Sequence, residues 1–218
     1  MPRRKDSKYR IAVPLLAVIL TGGALLRMRP QGGSGTATSD SSLASTYLAH
    51  KVRWGTKTGV DPDAAKVDVA HPQTTTVAEL TALPRPDGLP DREGPGSDRI
   101  GPVEHTAYTI DAKVLRYKLE EEDDQDFHIV ITDWNHPGPT MIVEIPDPRA
   151  VGTASPWRDA IASARDRFDS EFHPEGRFTR RSAHLKITGI GFFDFIHGQR
   201  GVAPNGIELH PVIGVEEE

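Results

Sequence analysis

Histidine and carboxylate side chains are concentrated in one short segment near the end of the chain. Asp194 and His197 open a polar turn, and Glu208 and His210 follow it. Glu208 and His210 are two residues apart on a predicted strand, so both point to the same face. Carboxylate and imidazole groups can bind a metal ion or share a proton. These four residues are the candidate catalytic set of a metal-dependent hydrolase, with His197, Glu208 and His210 as the candidate metal ligands.

The same segment also fits a binding role without catalysis. Side chains staple many tight loops by hydrogen bonds to the backbone, and the chain contains no HExxH, Gly-x-Ser-x-Gly or phosphate-loop motif. This interpretation, which we favour, expects no metal and no cofactor. The candidate binding residues are Phe193, Phe195, Gln199 and Asn205, with the phenylalanine rings stacking on bases or sugars.

Hydrophobic periodicity indicates the elements that must position this segment. Alternating apolar residues predict strands at residues 108–119, 127–134, 140–145, 183–193 and 207–215, the first with a β-bulge near Leu115. A helix is predicted between the third and fourth strands, with Ser155 as its N-cap. Its apolar face carries Trp157, Ile161, Ala164, Phe168 and Phe172.

The element order β-β-β-α-β-β predicts the fold class. It is the order of an OB-fold, a five-stranded, partly open Greek-key barrel. The predicted fold is therefore mainly β with one helix (α+β), an OB-fold-like five-stranded barrel that covers residues 103–218. An open αβ sandwich is the alternative. The region before this domain is expected to be disordered.

The first 26 residues have the pattern of an export signal. A basic segment at residues 1–10 precedes an uncharged apolar run at residues 11–26. The pattern predicts a signal-anchor in the cell membrane, with residues 1–10 cytoplasmic and the C-terminal domain outside. Because a spanning helix needs about 20 residues, secretion after signal cleavage is the alternative. Residues 27–102 are predicted to be a flexible Gly/Ser/Pro-rich linker with short helical turns near Asp61 and Thr76.

Composition restricts the partners. From Val103 to the end, 12 Lys and Arg stand against 21 Asp and Glu, a net charge of −9. This opposes non-specific nucleic-acid binding, so the expected ligand is a protein or a glycan. The run from Glu120 to Asp126 is predicted to be an acidic, solvent-facing turn. A local basic face could form only from Arg177, Arg180 and Arg181. The absence of cysteine excludes disulfides and thiolate chemistry.

One long motif resembles a known group of proteins. The segment from Gly189 to Val212 reads Gly-x-Gly-Phe-Phe-Asp-Phe-x-His-Gly-Gln-x-Gly-Val-Ala-Pro-Asn-Gly-x-Glu-Leu-His-Pro-Val. It resembles the C-terminal domain of a group of uncharacterised bacterial extracytoplasmic proteins. The segment from Met141 to Pro146 extends the likeness, which covers residues 50–215. Arg200 departs from the small polar residue expected there. The resemblance implies export and the domain boundary, and no catalytic residues.

Overall fold

A mixed β-sheet dominates the computed structural model, which describes residues 53–89, 98–121 and 125–218. Within these ranges the strands are β1 (Asp68–Thr75), β2 (Thr106–Leu119), β3 (Phe127–Asp133), β4 (Met141–Ile145), β5 (Thr179–Phe193) and β6 (Ile207–Glu217). The α-helices are α1 (Trp54–Thr58), α2 (Val77–Thr81) and α3 (Arg158–Phe172), with 3-10 turns at Ala64–Lys66 and Val103–His105. The protein is thus mainly β with few helices.

The strands pair in the order β1-β2-β3-β4-β6-β5, and β2 also pairs with β5. The long strand β2 has β5 antiparallel along one edge. Its other edge is shared by β1, which is parallel to it, and β3, which is antiparallel. Strands β4 and β6 are parallel, with Ile142 opposite Glu208 and Val143 opposite Leu209. Strands β3, β4 and β6 therefore lie side by side.

The predicted bulge and the predicted helical face are both confirmed. The register of β2 shifts between Val114 and Arg116, so inward-facing residues change parity from Val114 to Tyr117. The buried face of α3 carries Ile161, Ala164, Phe168 and Phe172. The Phe168 ring lies 5.5 Å from the Tyr117 ring, edge to face. Helix α3 therefore turns its apolar face inwards, as its periodicity indicates, and contacts β2 at Tyr117.

The predicted N-cap of α3 is wrong. The helix begins at Arg158, with Trp157 at the N-cap position and no side-chain cap. The Ser155 hydroxyl accepts a hydrogen bond from the Trp157 backbone N–H at 3.2 Å and donates one to the Thr58 carbonyl at 2.6 Å. Ser155 therefore joins the start of α3 to the segment that contains α1.

The region predicted to be a linker contributes to the sheet. The two predicted helical turns are present, and α2 has the expected capping box between Thr76 and Glu79. The sequence gives no sign of strand β1, because its polar residues are largely exposed and show no alternation. It forms through backbone pairing with β2. The described part of the sheet thus has six strands and not the predicted five, and the barrel stays a prediction.

The described residues contain no helix with the length and apolar character needed to span a membrane. The predicted anchor at residues 11–26 lies outside the described residues. Membrane anchoring therefore stays a prediction.

Candidate functional site: a buried carboxylate and histidine cluster beside a groove

A cluster of charged side chains lies on the face of β3, β4 and β6 that points away from the apolar core. His128 on β3 is directly opposite Glu144 on β4. On the parallel pair β4 and β6, Ile142 is opposite Glu208. Two residues further along each strand, Glu144 and His210 lie next to each other because side chains two apart share a face. The strand register therefore brings two histidines and two glutamates together.

His210 is at the centre of this cluster. Its buried ring places Nδ1 3.0 Å from Glu144 Oε2 and 3.4 Å from Glu208 Oε1. Its Nε2 lies 3.4 Å from Oδ2 of Asp126, the residue immediately before β3. Neither ring nitrogen has the alignment of a hydrogen bond with any of the described residues. Three carboxylates thus surround one imidazole at short distances.

Aromatic rings and the segment around α1 cover the cluster. The rings of Trp54 and Phe192 lie edge-on to the His210 ring, at 6.4 Å and 5.9 Å. The Arg53 guanidinium and the Lys57 ammonium lie over the Phe192 ring at 4.7 Å and 5.3 Å. Because this cover excludes water, the charges of the cluster interact more strongly than they would at the surface.

Burial and neighbouring charges shift the pKa values in the cluster. Burial, with the charges of Glu144 and Asp194, raises the pKa of Glu208 to about 7. Burial alone would lower the pKa of His210, but the carboxylates of Glu144 and Glu208 raise it to about 10. Burial also opposes ionisation of Glu144, yet its contacts with His128 and His210 hold its pKa well below the usual range. With no cation present, His210 is therefore protonated at neutral pH.

Three of the four predicted catalytic residues lie near each other, and the fourth does not. Glu208 and His210 are in the cluster, and Asp194 contacts the Lys57 ammonium at 3.1 Å. His197 is exposed on the β5–β6 loop (residues 194–206), where its ring stacks on Phe195 at 4.4 Å. The turn points outward, so the predicted catalytic and metal-binding sets that include His197 are not assembled.

The four predicted binding residues differ in their exposure to solvent. Phe193 is buried in the apolar core, so stacking of its ring on a ligand is excluded. Phe195 is only partly buried. Gln199 donates a hydrogen bond from Nε2 to the Phe195 carbonyl and accepts one at Oε1 from the His197 backbone, both at 2.9 Å. These hydrogen bonds hold the loop to its own backbone. This is the structural role that the sequence offers as the alternative to ligand binding.

Asn205 joins the β5–β6 loop to the end of α2. Its buried amide donates from Nδ2 to the carbonyls of Leu80 and Leu83 at 2.9 Å and 3.0 Å, and Oδ1 accepts from the Ile207 backbone at 3.1 Å. Asn205→Ala leaves three backbone groups without these partners. We expect the free energy of unfolding to fall by about 2 kcal/mol in urea denaturation. The exposed Asn135→Ala is the control, and an equal effect of both would contradict this role.

A groove opens between the end of β2, at Lys118 and Glu120, and the β5–β6 loop. It has a volume of about 410 Å³ and is lined by Lys118, Glu120, His128, Phe178, His197, Gly198, Gln199 and Arg200. The Lys118 ammonium and the Arg200 guanidinium lie 5.1 Å and 5.6 Å from the centre of the Phe178 ring. The groove therefore combines two cations with an aromatic ring.

His128 connects the groove to the buried cluster. Its Nδ1 lies 3.0 Å from Glu144 Oε1, and its Nε2 lies 3.2 Å from the carbonyl oxygen of Arg200. Burial lowers the pKa of His128, but its contacts with Glu144 and the Arg200 carbonyl reverse this and raise it. The ring thus links β4 to the backbone of the β5–β6 loop.

Sequence reasoning missed Asp126, His128 and Glu144. Asp126 was expected in a solvent-facing turn, but it is fully buried, because it leads into β3 and faces His210. His128 and Glu144 each lie in a short, otherwise apolar strand segment. A charged residue in a buried strand is costly unless it is paired, and this was the signal that could have identified them.

The three arginines that the sequence left as candidates for a basic face, Arg177, Arg180 and Arg181, do not line the groove. Arg177 and Arg181 form ion pairs with Glu175 and Glu171. The cations that line the groove are Lys118 and Arg200. Strand register and loop packing bring these two together from distant parts of the sequence, so their spacing gave no indication.

Comparison with known proteins gives no relative: no family model, curated protein or solved structure matches this chain. The resemblance of residues 189–212 to the extracytoplasmic group stays a prediction.

Proposed function

We propose that this chain is an OB-like ligand-binding module, anchored in the cell membrane or secreted, that binds acidic glycans in the groove and has no catalysis of its own. Two features support the OB-like assignment. One is the element order, which is β2, β3, β4, α3, β5 and β6, and the other is the pairing of β2 with β5. Ligands of OB-folds lie between the loops that follow the first and fourth barrel strands. Here the groove is bordered by Glu120, where the chain leaves β2 for β3, and by the β5–β6 loop.

The charge of the groove is the observation that carries the proposal. Lys118 and Arg200 lie against the Phe178 ring, in a region whose net charge is −9. Contact with the ring fixes both cations. Lys118 is paired with Glu120 at 2.7 Å, and a ligand carboxylate can replace this partner. The groove therefore favours an acidic group.

A glycan fits the remaining features better than nucleic acid does. The groove volume of about 410 Å³ is within the range of small-ligand sites, about 300 to 1,000 Å³. The exposed His197 and the carboxylate of Glu120 can hydrogen-bond to sugar hydroxyls. The acidic surroundings oppose a long polyphosphate chain. A short stretch of an acidic sugar polymer has the size and the hydroxyl groups that the groove can accept, without the long row of phosphates that the acidic surroundings oppose.

Titration calorimetry of the full chain with oligogalacturonate tests this proposal. We expect Lys118→Ala and Arg200→Ala each to raise Kd about tenfold, equivalent to about 1.4 kcal/mol, because each loses one charge contact. Arg177→Ala removes an exposed cation outside the groove and should leave Kd unchanged. Neutral dextran should not bind.

Two outcomes would overturn the proposal. Equal affinity of Arg200→Ala and Arg177→Ala for oligogalacturonate would exclude the groove as the binding site. Tight binding of a polyglutamate peptide, with no binding of oligogalacturonate, would replace the glycan with an acidic protein partner.

The alternative is a metal-dependent hydrolase that uses Asp194, His197, Glu208 and His210, and it has less support. Glu208 and His210 are covered by protein atoms, whereas a hydrolytic site needs an open position for substrate and water. His197 lies apart from them in the exposed loop. The arrangement therefore favours binding over hydrolysis.

A further inference from the structure

We propose that Asp126, Glu144 and His210 bind one divalent cation, with Glu208 as the fourth ligand. One ligand atom from each of Asp126, Glu144 and His210 lies within 4.8 Å of the others. The ion would join the start of β3 to β4 and β6. This site is distinct from the glycan groove, and the two proposals do not depend on each other.

The distances within the cluster fit a coordination shell. One ion can bind only one nitrogen of the imidazole. Nδ1 of His210 lies 3.0 Å from Glu144 Oε2 and 3.4 Å from Glu208 Oε1. Asp126 Oδ2 lies 3.4 Å from the other nitrogen, Nε2, and a ligand atom of Asp126 is within 4.8 Å of one from Glu144 and one from His210. Two ligand atoms that each bind one cation at about 2.1 Å are roughly 3.0 Å apart in octahedral and roughly 3.4 Å apart in tetrahedral geometry. A hydrogen-bonded histidine would instead align its N–H groups with the oxygens. Neither ring nitrogen of His210 is aligned for a hydrogen bond with any of the described residues. Glu208 Oε1 also accepts no hydrogen bond from them.

The balance of charge also fits a divalent ion. Asp126, Glu144 and Glu208 surround His210, with Asp194 close to Glu208 and Glu120 close to His128. Among the described residues, the Lys57 cation acts on Glu144 and Asp194, and the Arg165 cation acts on Asp126 but is shared with Asp147 and Asp169. Carboxylates therefore outnumber lysine and arginine side chains around His210. A divalent cation or protonated histidines would offset this excess, so the experiment must separate the two arrangements.

The ligand types indicate the class of metal. One imidazole with two or three carboxylates suits first-row transition cations such as Zn²⁺ and Mn²⁺. His128 orients Glu144 from outside the shell, with its Nδ1 3.0 Å from Glu144 Oε1. Metal-binding side chains are commonly held in this way by a further polar group.

Burial indicates a structural ion. The side chains of Asp126 and His210 are fully buried, so substrate has no direct access to the ion. The ligands come from elements that are far apart in the sequence and meet only when the chain folds. Binding of the ion is therefore coupled to folding.

Refolding with and without metal tests the site directly. The full chain is unfolded in guanidinium chloride with a chelator, freed of both, and refolded with no metal, ZnCl₂ or MnCl₂. We expect about one Zn²⁺ or Mn²⁺ per chain to remain after gel filtration, as measured by mass spectrometry of the metal. The melting temperature should be about 5 to 15 °C higher with the ion, because the ion binds only the folded chain.

Variants assign the ligands. Asp126→Asn and His210→Gln should each abolish metal retention, whereas Glu120→Gln, beside the cluster, should retain it. If the variants of the metal ligands do not fold, metal retention and melting temperature of the wild-type chain still test the proposal. The proposal is overturned if wild-type protein retains no Zn²⁺ or Mn²⁺ and melts at the same temperature with and without them. That result would assign the charge balance to protonated histidines.

Discussion

Glu104→Gln should lower the free energy of unfolding by about 3 to 5 kcal/mol, the usual cost of breaking a buried ion pair by removing one partner. Glu104 is fully buried and pairs with Arg53. Its Oε1 accepts from Arg53 Nη1 at 2.8 Å and from the Phe193 backbone at 2.9 Å, and Oε2 accepts from the Ile100 backbone at 2.7 Å. In the variant, the neutral side-chain amide no longer compensates the charge of Arg53. Its NH₂ group also faces an N–H donor that the carboxylate oxygen accepted from.

Guanidinium denaturation followed by circular dichroism measures this effect. Asp63→Asn is the matched control, because it also removes an ion pair, but an exposed one with Lys66 at 2.6 Å. The control should leave the denaturation midpoint unchanged, since exposed pairs contribute little. If both variants shifted the midpoint equally, the buried pair of Glu104 with Arg53 would contribute no more to stability than an exposed pair does.

Gly206→Ala should destabilise the protein by about 2 to 5 kcal/mol, through backbone strain and overpacking together. Gly206 has φ +76°, and an added Cβ would lie 2.4 Å from the Asp194 carbonyl oxygen. The Gly206 carbonyl also accepts a hydrogen bond from the Asp194 backbone at 2.8 Å. The contact that closes the β5–β6 loop therefore leaves no space for a side chain.

Gly198→Ala in the same loop separates the two causes. Gly198 has φ +88°, but a Cβ there would have no atom of the described residues within 4 Å. We expect only the conformational cost, about 1 to 2 kcal/mol, in thermal unfolding by calorimetry. The difference between the two variants measures the overpacking at Gly206. Equal losses of stability would show that the loop relaxes and that the close approach to Asp194 is not required.

The sequence by itself determined the elements with a regular apolar period. The bulged strand β2 follows from the parity change between Val114 and Tyr117, and the inner face of α3 follows from the spacing of Ile161, Ala164 and Phe168. Burial imposes these periods locally, because side chains alternate on a strand and recur about every 3.6 residues on a helix. The adjacency of Glu208 and His210 is of the same kind.

The tertiary structure alone decided which elements and charges meet. Strand β1 has a polar sequence and exists through pairing with β2. Glu144 meets His210 because β4 and β6 are parallel in one register, and Asp126 is buried because it leads into β3 towards that histidine. His197 points away although it is close in sequence. Such contacts depend on pairing between strands that are far apart in the sequence and on the cover that the segment around α1 provides. Local hydrophobic periodicity predicts neither, because it reports only which face of a single element is buried.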